Sequence, residues 1–406
     1  MRVRYVSVFF GMVLVLASGV TWAQTTGLDA SGAAQMPMPK PPIFPTLFPH
    51  PTNNNGYEEW VRAVDLIQNN AKVEALDNDE SPTLAFKRQV LADPVVVQAL
   101  LLLRAGLNKQ VYSPRTTIDE NTPLPELAGF RRLARLLRYE EYVAFADGRV
   151  DAAIGCLRTG LGFGYRVQTD NFMNGLVGVA IHSIMLKEFS QHLDQLSAYH
   201  CDDVRRIVEG FLSEENPAVH LLALEKINAM KMLEAHRSDV EGLFALLKTA
   251  GVDEGNNEDA DGAAVRAHLL RRPADVNAVL DNALACVSAL YDQTLANMRL
   301  PLSQRKPVTM DKTDSPGAAL FRAVTGDPEI ILKKYTRDQS QLRMLGVHAL
   351  VHRYRWEHNA LPGSLTELSA PGMVKDAFTG SEIVYRRDGD RYTLTIQEPA
   401  EAVGRR

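Results

Sequence analysis

Cysteine is scarce in this chain: Cys156, Cys201 and Cys286 are the only three in 406 residues. The number is odd, the spacings are long, and each lies in an apolar stretch of helical character. This excludes a disulfide-dense scaffold, whose cysteines come in even sets. No pair has the spacing of a metal site. The three read as small buried hydrophobes, with one bridge plus a free thiol as the alternative. An excess of positive charge is also missing. Forty-four Lys and Arg face 49 Asp and Glu, a formal net charge of −5. Nucleic acid calls for a basic face and is excluded as a partner on this ground. Catalytic signatures are absent too: there is no Gly-x-Ser-x-Gly, no P-loop and no His-Glu-x-x-His.

What is present begins at the N-terminus. Met1 to Arg4 carries two arginines, Tyr5 to Leu16 is a short apolar core, and Thr21-Trp22-Ala23 is a small-residue exit. This is the layout of a secretory signal peptide over residues 1–23, with Gln24 as the mature start. The apolar stretch, about 18 residues diluted by Ser7, Ser18 and Gly19, falls short of a comfortable span. A periplasmic or secreted protein without a stable membrane span is therefore expected. An uncleaved N-terminal anchor is the alternative. No cysteine near the exit supports a lipoprotein. Residues 1–23 carry two arginines and no acid, so cleavage takes the formal charge from −5 to −7.

Residues 24–56 are expected to be a disordered, Pro-rich linker, with seven prolines between Pro37 and Pro51. Such a run favours extended polyproline II, a spacer or a strap over the body. A helical body follows over 57–325. Trp60, Val64 and Ile67 predict a helix to Asp77, and Pro94 opens a very apolar one to Leu107. Over Pro123 to Ala146, Leu127, Phe130, Leu133 and Leu137 form the stripe. Arg131, Arg135 and Arg138 form the opposite face, read as solvated and paired with Glu140 and Glu141. Further helices are predicted over Arg149–Tyr165, Phe172–Leu196, Asp202–Leu212, Pro217–Thr249 and Pro273–Met298. The last unit, 326–406, holds a long helix from Pro328 to His358, then short β runs at Glu382–Tyr385 and Arg391–Ile396 split by Asp388-Gly389-Asp390. Val384 and Leu394 are the candidates for its covered face. The predicted class is mainly α: irregular, solenoid-like antiparallel helix pairs with a small C-terminal α+β hairpin element.

Two segments resemble known families. Ala144-Phe-Ala-Asp-Gly148-Arg-Val-Asp-Ala-Ala153, continuing to Cys156-Leu157, resembles the turn of a tetratricopeptide-type hairpin. The 34-residue period of a true array is not found. Tyr354 to Pro362, Leu365 to Leu368, Lys375 to Gly380, Val384 to Arg387 and Tyr392 to Leu394 together are similar to the tail of type II secretion pseudopilins. That resemblance implies a helix closed by a small sheet. The chain departs from it in lacking the pseudopilin N-terminal helix and the acidic calcium loop. The whole layout resembles a class of exported bacterial proteins, a likeness that implies no activity.

Several constellations approach known chemistry. Asn257-x-Asp259-x-Asp261-Gly262, with His268 at position twelve, is near a calcium loop but lacks the acid at both ends. It reads as an acidic loop over 251–262. His348 and His352 stand one helical turn apart, with His358 beyond them, and His192, His200, Cys201, Asp202 and Asp203 form a second loose group. Ser303-x-x-Lys306 lacks the partners an acyl-enzyme needs. Gly160, Gly162 and Gly164 have the wrong spacing for a phosphate loop. No catalytic, cofactor-binding or metal residue is therefore assigned, and no cofactor. An exported, non-enzymatic scaffold for a protein partner in the envelope is the leading expectation. One alternative is a hydrolase or metal-dependent enzyme, which requires His182, His192, His200, His348 or His352 to converge with carboxylates in a pocket. The other is an auxiliary of a secretion or pilus system.

Overall fold

The structure is a computed structural model. It describes residues 39–115, 124–168, 171–249, 260–298, 300, 304–306, 308, 314–324 and 328–397. The signal peptide and the first part of the linker lie outside these residues, as do most of the 251–262 loop, Ser303 and the C-terminal end.

The chain is mainly α with one small two-stranded antiparallel sheet. The helices in order are α1 (Phe44–Leu47), α2 (Gly56–Ile67), α3 (Ala71–Asn78), α4 (Leu84–Leu91), α5 (Pro94–Leu107), α6 (Pro125–Ala146), α7 (Val150–Val167) and α8 (Phe172–Phe189). Then come α9 (Ala198–Ser213), α10 (Pro217–Glu234), α11 (Val240–Thr249), α12 (Ala260–Arg271), α13 (Val276–Met298), α14 (Pro316–Val324) and α15 (Pro328–His358).

Capping side chains decide several boundaries that apolar spacing alone runs through. The helix expected over 57–77 breaks because the Asn70 side chain accepts Lys72 N and Val73 N, starting α3. The helix expected over 217–249 breaks where Ser238 takes φ +59° and Asp239 Oδ1 accepts Gly242 N at 2.8 Å. Ser197 and His200 form a capping box, so α9 begins ahead of Asp202. Helix α8 ends at Phe189, and a 3₁₀ turn (Leu193–Gln195) replaces its expected last turns.

Helix α2 lies along α5, and α6 turns back at Gly148 (φ +72°) into α7. Helices α6, α7 and α8 pack on one another, α8 packs on α15, and α15 on α9. Farther on, α10 packs on α13, and α14 joins α13 to α12. Trp60 is fully buried and its ring meets Phe163 edge-on at 4.8 Å, with Tyr57 and Phe130 beside them. One apolar cluster continues from Phe48 to Ile383, so the last helix and its tail share the body's core. The three cysteines are buried thiols with no disulfide among them.

The expected disordered linker is corrected from Lys40 onward. Asn69 Oδ1 accepts Lys40 N at 2.8 Å, and its amide donates back to Lys40 O at 2.9 Å. The Asp65 carboxylate accepts Ile43 N at 2.7 Å and Phe44 N at 2.8 Å. Phe48 is buried, and Glu58 holds Thr52 and Asn53 by their backbone N–H groups at 2.8 Å. The segment is a strap. Its prolines restrict the chain beforehand, which lowers the entropy lost on docking.

At the C-terminus, β1 (Val384–Asp388) pairs with β2 (Arg391–Thr395) through a two-residue turn with Gly389 at φ +58°. Tyr385 faces Leu394 across the ladder, and these two with Tyr392 pack against the core. Val384 pairs with Thr395 on the other face. Leu394 is thus on the covered side and Val384 is not. Burial of Ile383 sets the parity of β1, which places Tyr385 inward. Among the described residues no single helix is long and apolar enough to cross a membrane, and α4 with α5 would qualify only as a pair bent by 72°.

Candidate ligand-binding cavity

The arginine face of α6 is not uniformly solvated. Arg132 Nε sits 2.6 Å from one oxygen of Asp77, and Arg135 Nε 2.9 Å from the other. Arg138 stacks over Tyr139 and lies 3.9 Å from Glu188. Glu140, an expected partner, is taken by Arg104 at 2.7 Å. Glu141, the other, is buried with neither carboxylate oxygen bonded. Burial first, and then the nearby Glu188, hold its carboxyl well above the usual range. Arg131 is left over. It is half-buried without an acidic partner among the described residues, and burial, then Arg135, lower its hold on its proton.

Arg131 borders a cavity of ≈600 Å³ between the strap, α2 and α6. The volume suits a small organic molecule. Ile43 and Leu47 of the strap, with Val64 and Ile67 of α2, form its apolar side. Its polar side is Lys40, Arg115, Arg131, Arg132 and Arg135, and no Asp or Glu among the described residues lines it. Arg115 is anchored by the buried Glu126, which also accepts the Tyr57 hydroxyl at 3.0 Å. Asp77 and Glu126 thus stand behind three of the guanidinium groups. Arg131 and the Lys40 ammonium face the cavity without such an acid among the described residues. Apolar walls reduce screening, so this unbalanced charge acts strongly on an anion inside. A wider groove of ≈840 Å³ runs between α7 and α9, past Tyr165, Phe211 and Arg158. Asp203 and Glu214 line it too, so its charge is mixed.

The histidines singled out in the sequence are dispersed. His182 is buried, with Nδ1 2.9 Å from Asp338 and Nε2 2.9 Å from the Leu161 carbonyl. Both nitrogens face acceptors, an arrangement that favours the imidazolium. Burial alone would lower its pKa, but the Asp338 carboxylate and the Leu161 carbonyl outweigh burial and raise it. His192 meets Glu188 at 3.2 Å and stacks on Phe145. His200 serves the α9 cap and lies 3.4 Å from Asp151. His348 Nδ1 accepts the Tyr392 hydroxyl at 2.8 Å, and burial first, then His352, push its pKa down to about 4. His352 lies 4.0 Å from Asp194, and His358 bonds the Tyr354 carbonyl. Among the described residues no three His, Cys, Asp or Glu stand close enough to hold a metal ion.

The other candidates are placed as follows. Asp259 lies outside the described residues, Asp261 pairs with Arg322 at 2.6 Å, and His268 with Asp275 at 3.0 Å. Cys201 is buried, and burial first, then Asp202, push its thiol up to about 12. Asp202 and Asp203 pair with arginines along α9. Gly160 and Gly164 face α8, where an added Cβ would lie 2.4 Å from Met185 or His182. Their role is close helix approach. Lys306 docks its backbone on Asn297. Sequence reasoning missed the pairing of Asp77 with Arg132 and Arg135, which isolates Arg131. The signal available was an arginine row on α6 longer than its local acids could match.

Comparison with protein-family models, with curated proteins and with solved structures gives no match to this chain.

Proposed function

We propose that this is an exported, non-enzymatic binding protein of the bacterial envelope that receives a small organic anion with an apolar body beneath the strap. The observation that carries the reading is the wall of the ≈600 Å³ cavity: five cations, an apolar side and no acid among the described residues. A carboxylate or phosphate head would meet Arg131 and Lys40, and a hydrocarbon body would lie on Ile43, Leu47, Val64 and Ile67. Among the described residues the wall holds no general base, which supports retention of the ligand over its conversion.

Calorimetric titration of the mature chain with decanoate, decanol and acetate tests this. Decanoate should saturate, and the two half-ligands should bind at least ~10-fold more weakly, since a charge-assisted contact is worth about 1.5–3 kcal/mol. Ala128, exposed at the cavity mouth, offers a block, and Ala128→Trp should abolish decanoate binding. Equal binding of decanol, or an Ala128→Trp variant that binds as well, would refute the reading.

A protein partner is the second reading, favoured by the open ≈840 Å³ groove lined by Leu107, Ile207 and Phe211. Gly210 has open space around it, so a photo-crosslinking residue there should give one discrete adduct in the native envelope. Absence of an adduct would remove this reading.

A further inference from the structure

We infer that a second cleft, between α6, α8 and α15, is a binding site for a phosphate-type oxyanion. The cleft has a volume of ≈190 Å³ and borders Arg131, Lys334 and Arg337, with Ser183 and Gln341 beside them. It shares Arg131 with the strap cavity, whereas Lys334 and Arg337 line only this cleft.

The charge balance points to an anion. Lys334 is half-buried, and its ammonium has no acidic partner among the described residues. Burial, and then Arg337, reduce its hold on its proton. Arg131 is the second half-buried cation in that position. A half-buried cation that loses water and gains no counterion is costly to keep, and here two of them border one cleft. The one carboxylate among the described residues of the wall, Asp338, is already engaged. Its oxygens lie 3.1 and 2.9 Å from His182 Nδ1, so the carboxylate is turned to the imidazole.

The donors match a tetrahedral oxyanion. Phosphate offers several acceptor oxygens, which suits a guanidinium fork beside an ammonium. Ser183 Oγ donates to Gln341 Oε1 at 3.4 Å, which fixes the carboxamide oxygen and leaves its amino group as a further donor. The volume equals about six waters at ~30 Å³ each, enough for a phosphate with a small substituent. Leu176, Val179 and Ala180 give one wall an apolar surface against which an organic ester group can lie. The shared chemistry is the phosphate head, free or esterified.

Titration of the full mature chain with inorganic phosphate and with phenyl phosphate, followed by calorimetry, tests the site. Wild-type protein should bind phosphate saturably below about 10 mM. Lys334→Ala should weaken binding ~10-fold or more, and Lys334→Arg should retain it. Ala128→Trp, which blocks the strap cavity, should leave phosphate affinity unchanged, so that failure here and failure of the strap reading are separable. Tighter binding of phenyl phosphate assigns the natural ligand to an ester, and equal binding assigns it to free phosphate. Far-UV circular dichroism of Lys334→Ala confirms that the fold is kept. Absence of saturation, or Lys334→Ala with unchanged affinity, would overturn the assignment.

Discussion

Two glycines in neighbouring helices should respond to alanine with opposite signs. At Gly178 in α8, an added Cβ would lie 2.3 Å from the Gly164 carbonyl oxygen and 2.3 Å from Gln168 Cγ. That is roughly 1 Å short of ordinary contact, and a backbone carbonyl inside α7 cannot swing away. The helices must separate at their crossing. Gly164 lies under the His182 ring, so separation also loosens the His182–Asp338 pair. Overpacking of this kind costs about 1–3 kcal/mol, and alanine returns about 1 kcal/mol of helix propensity. The rigid obstacle and the disturbed pair place Gly178→Ala at the upper end, a net loss of about 2 kcal/mol. Gly155 lies in the interior of α7, exposed, and an added Cβ there would meet nothing within 4 Å. Gly155→Ala should therefore gain about 0.5–1 kcal/mol. At about 2 °C per kcal/mol for a large chain, thermal melts followed by circular dichroism should fall by ~4 °C for the first and rise by ~1–2 °C for the second. Shifts of the same sign in both variants would refute the close crossing of α7 and α8.

Asp65→Ala removes an acceptor from two strap N–H groups, a loss of about 2–3 kcal/mol that is local to the strap. Limited proteolysis should then cut between residues 40 and 55 while helical content stays unchanged. Leu394→Asp should raise protease sensitivity of the tail, by about 2 kcal/mol of lost apolar burial, whereas Val384→Asp on the opposite face should not. The raised pKa of His182 means that its pairing with Asp338 stabilises fully below the unfolded value of about 6.5 and fades as pH rises through the folded pKa. Asp338→Asn should be less stable than wild type by about 3–5 kcal/mol at pH 6, and denaturant titrations should show that gap narrowing toward pH 9. A gap that is constant or widens with pH would contradict the charged pair.

Much of the helical layout was legible in the sequence because its causes are local. Pro94 and Pro328 mark the starts of α5 and α15, and α15 ends at His358 as its apolar spacing implies. Asp388-Gly389-Asp390 marks the hairpin, because a left-handed residue is needed there and Gly389 supplies it at φ +58°. Where apolar spacing overruns the ends of α2 and α10, the information was also local, in the caps at Asn70 and Asp239. Those are single side chains set against a continuing apolar stripe, and the stripe is the louder signal. The candidate sites were not legible. Arg131, Arg132 and Arg135 are chemically equal in the sequence, and only the tertiary placement of Asp77, more than 50 residues away, neutralises two and leaves the third. The strap is ordered by Asp65, and Asp338 is engaged by His182, 156 residues apart. Helix formation depends on neighbours within a turn or two. Which charge finds a partner, and which is left facing a cavity, depends on distances that exist only once the helices have packed.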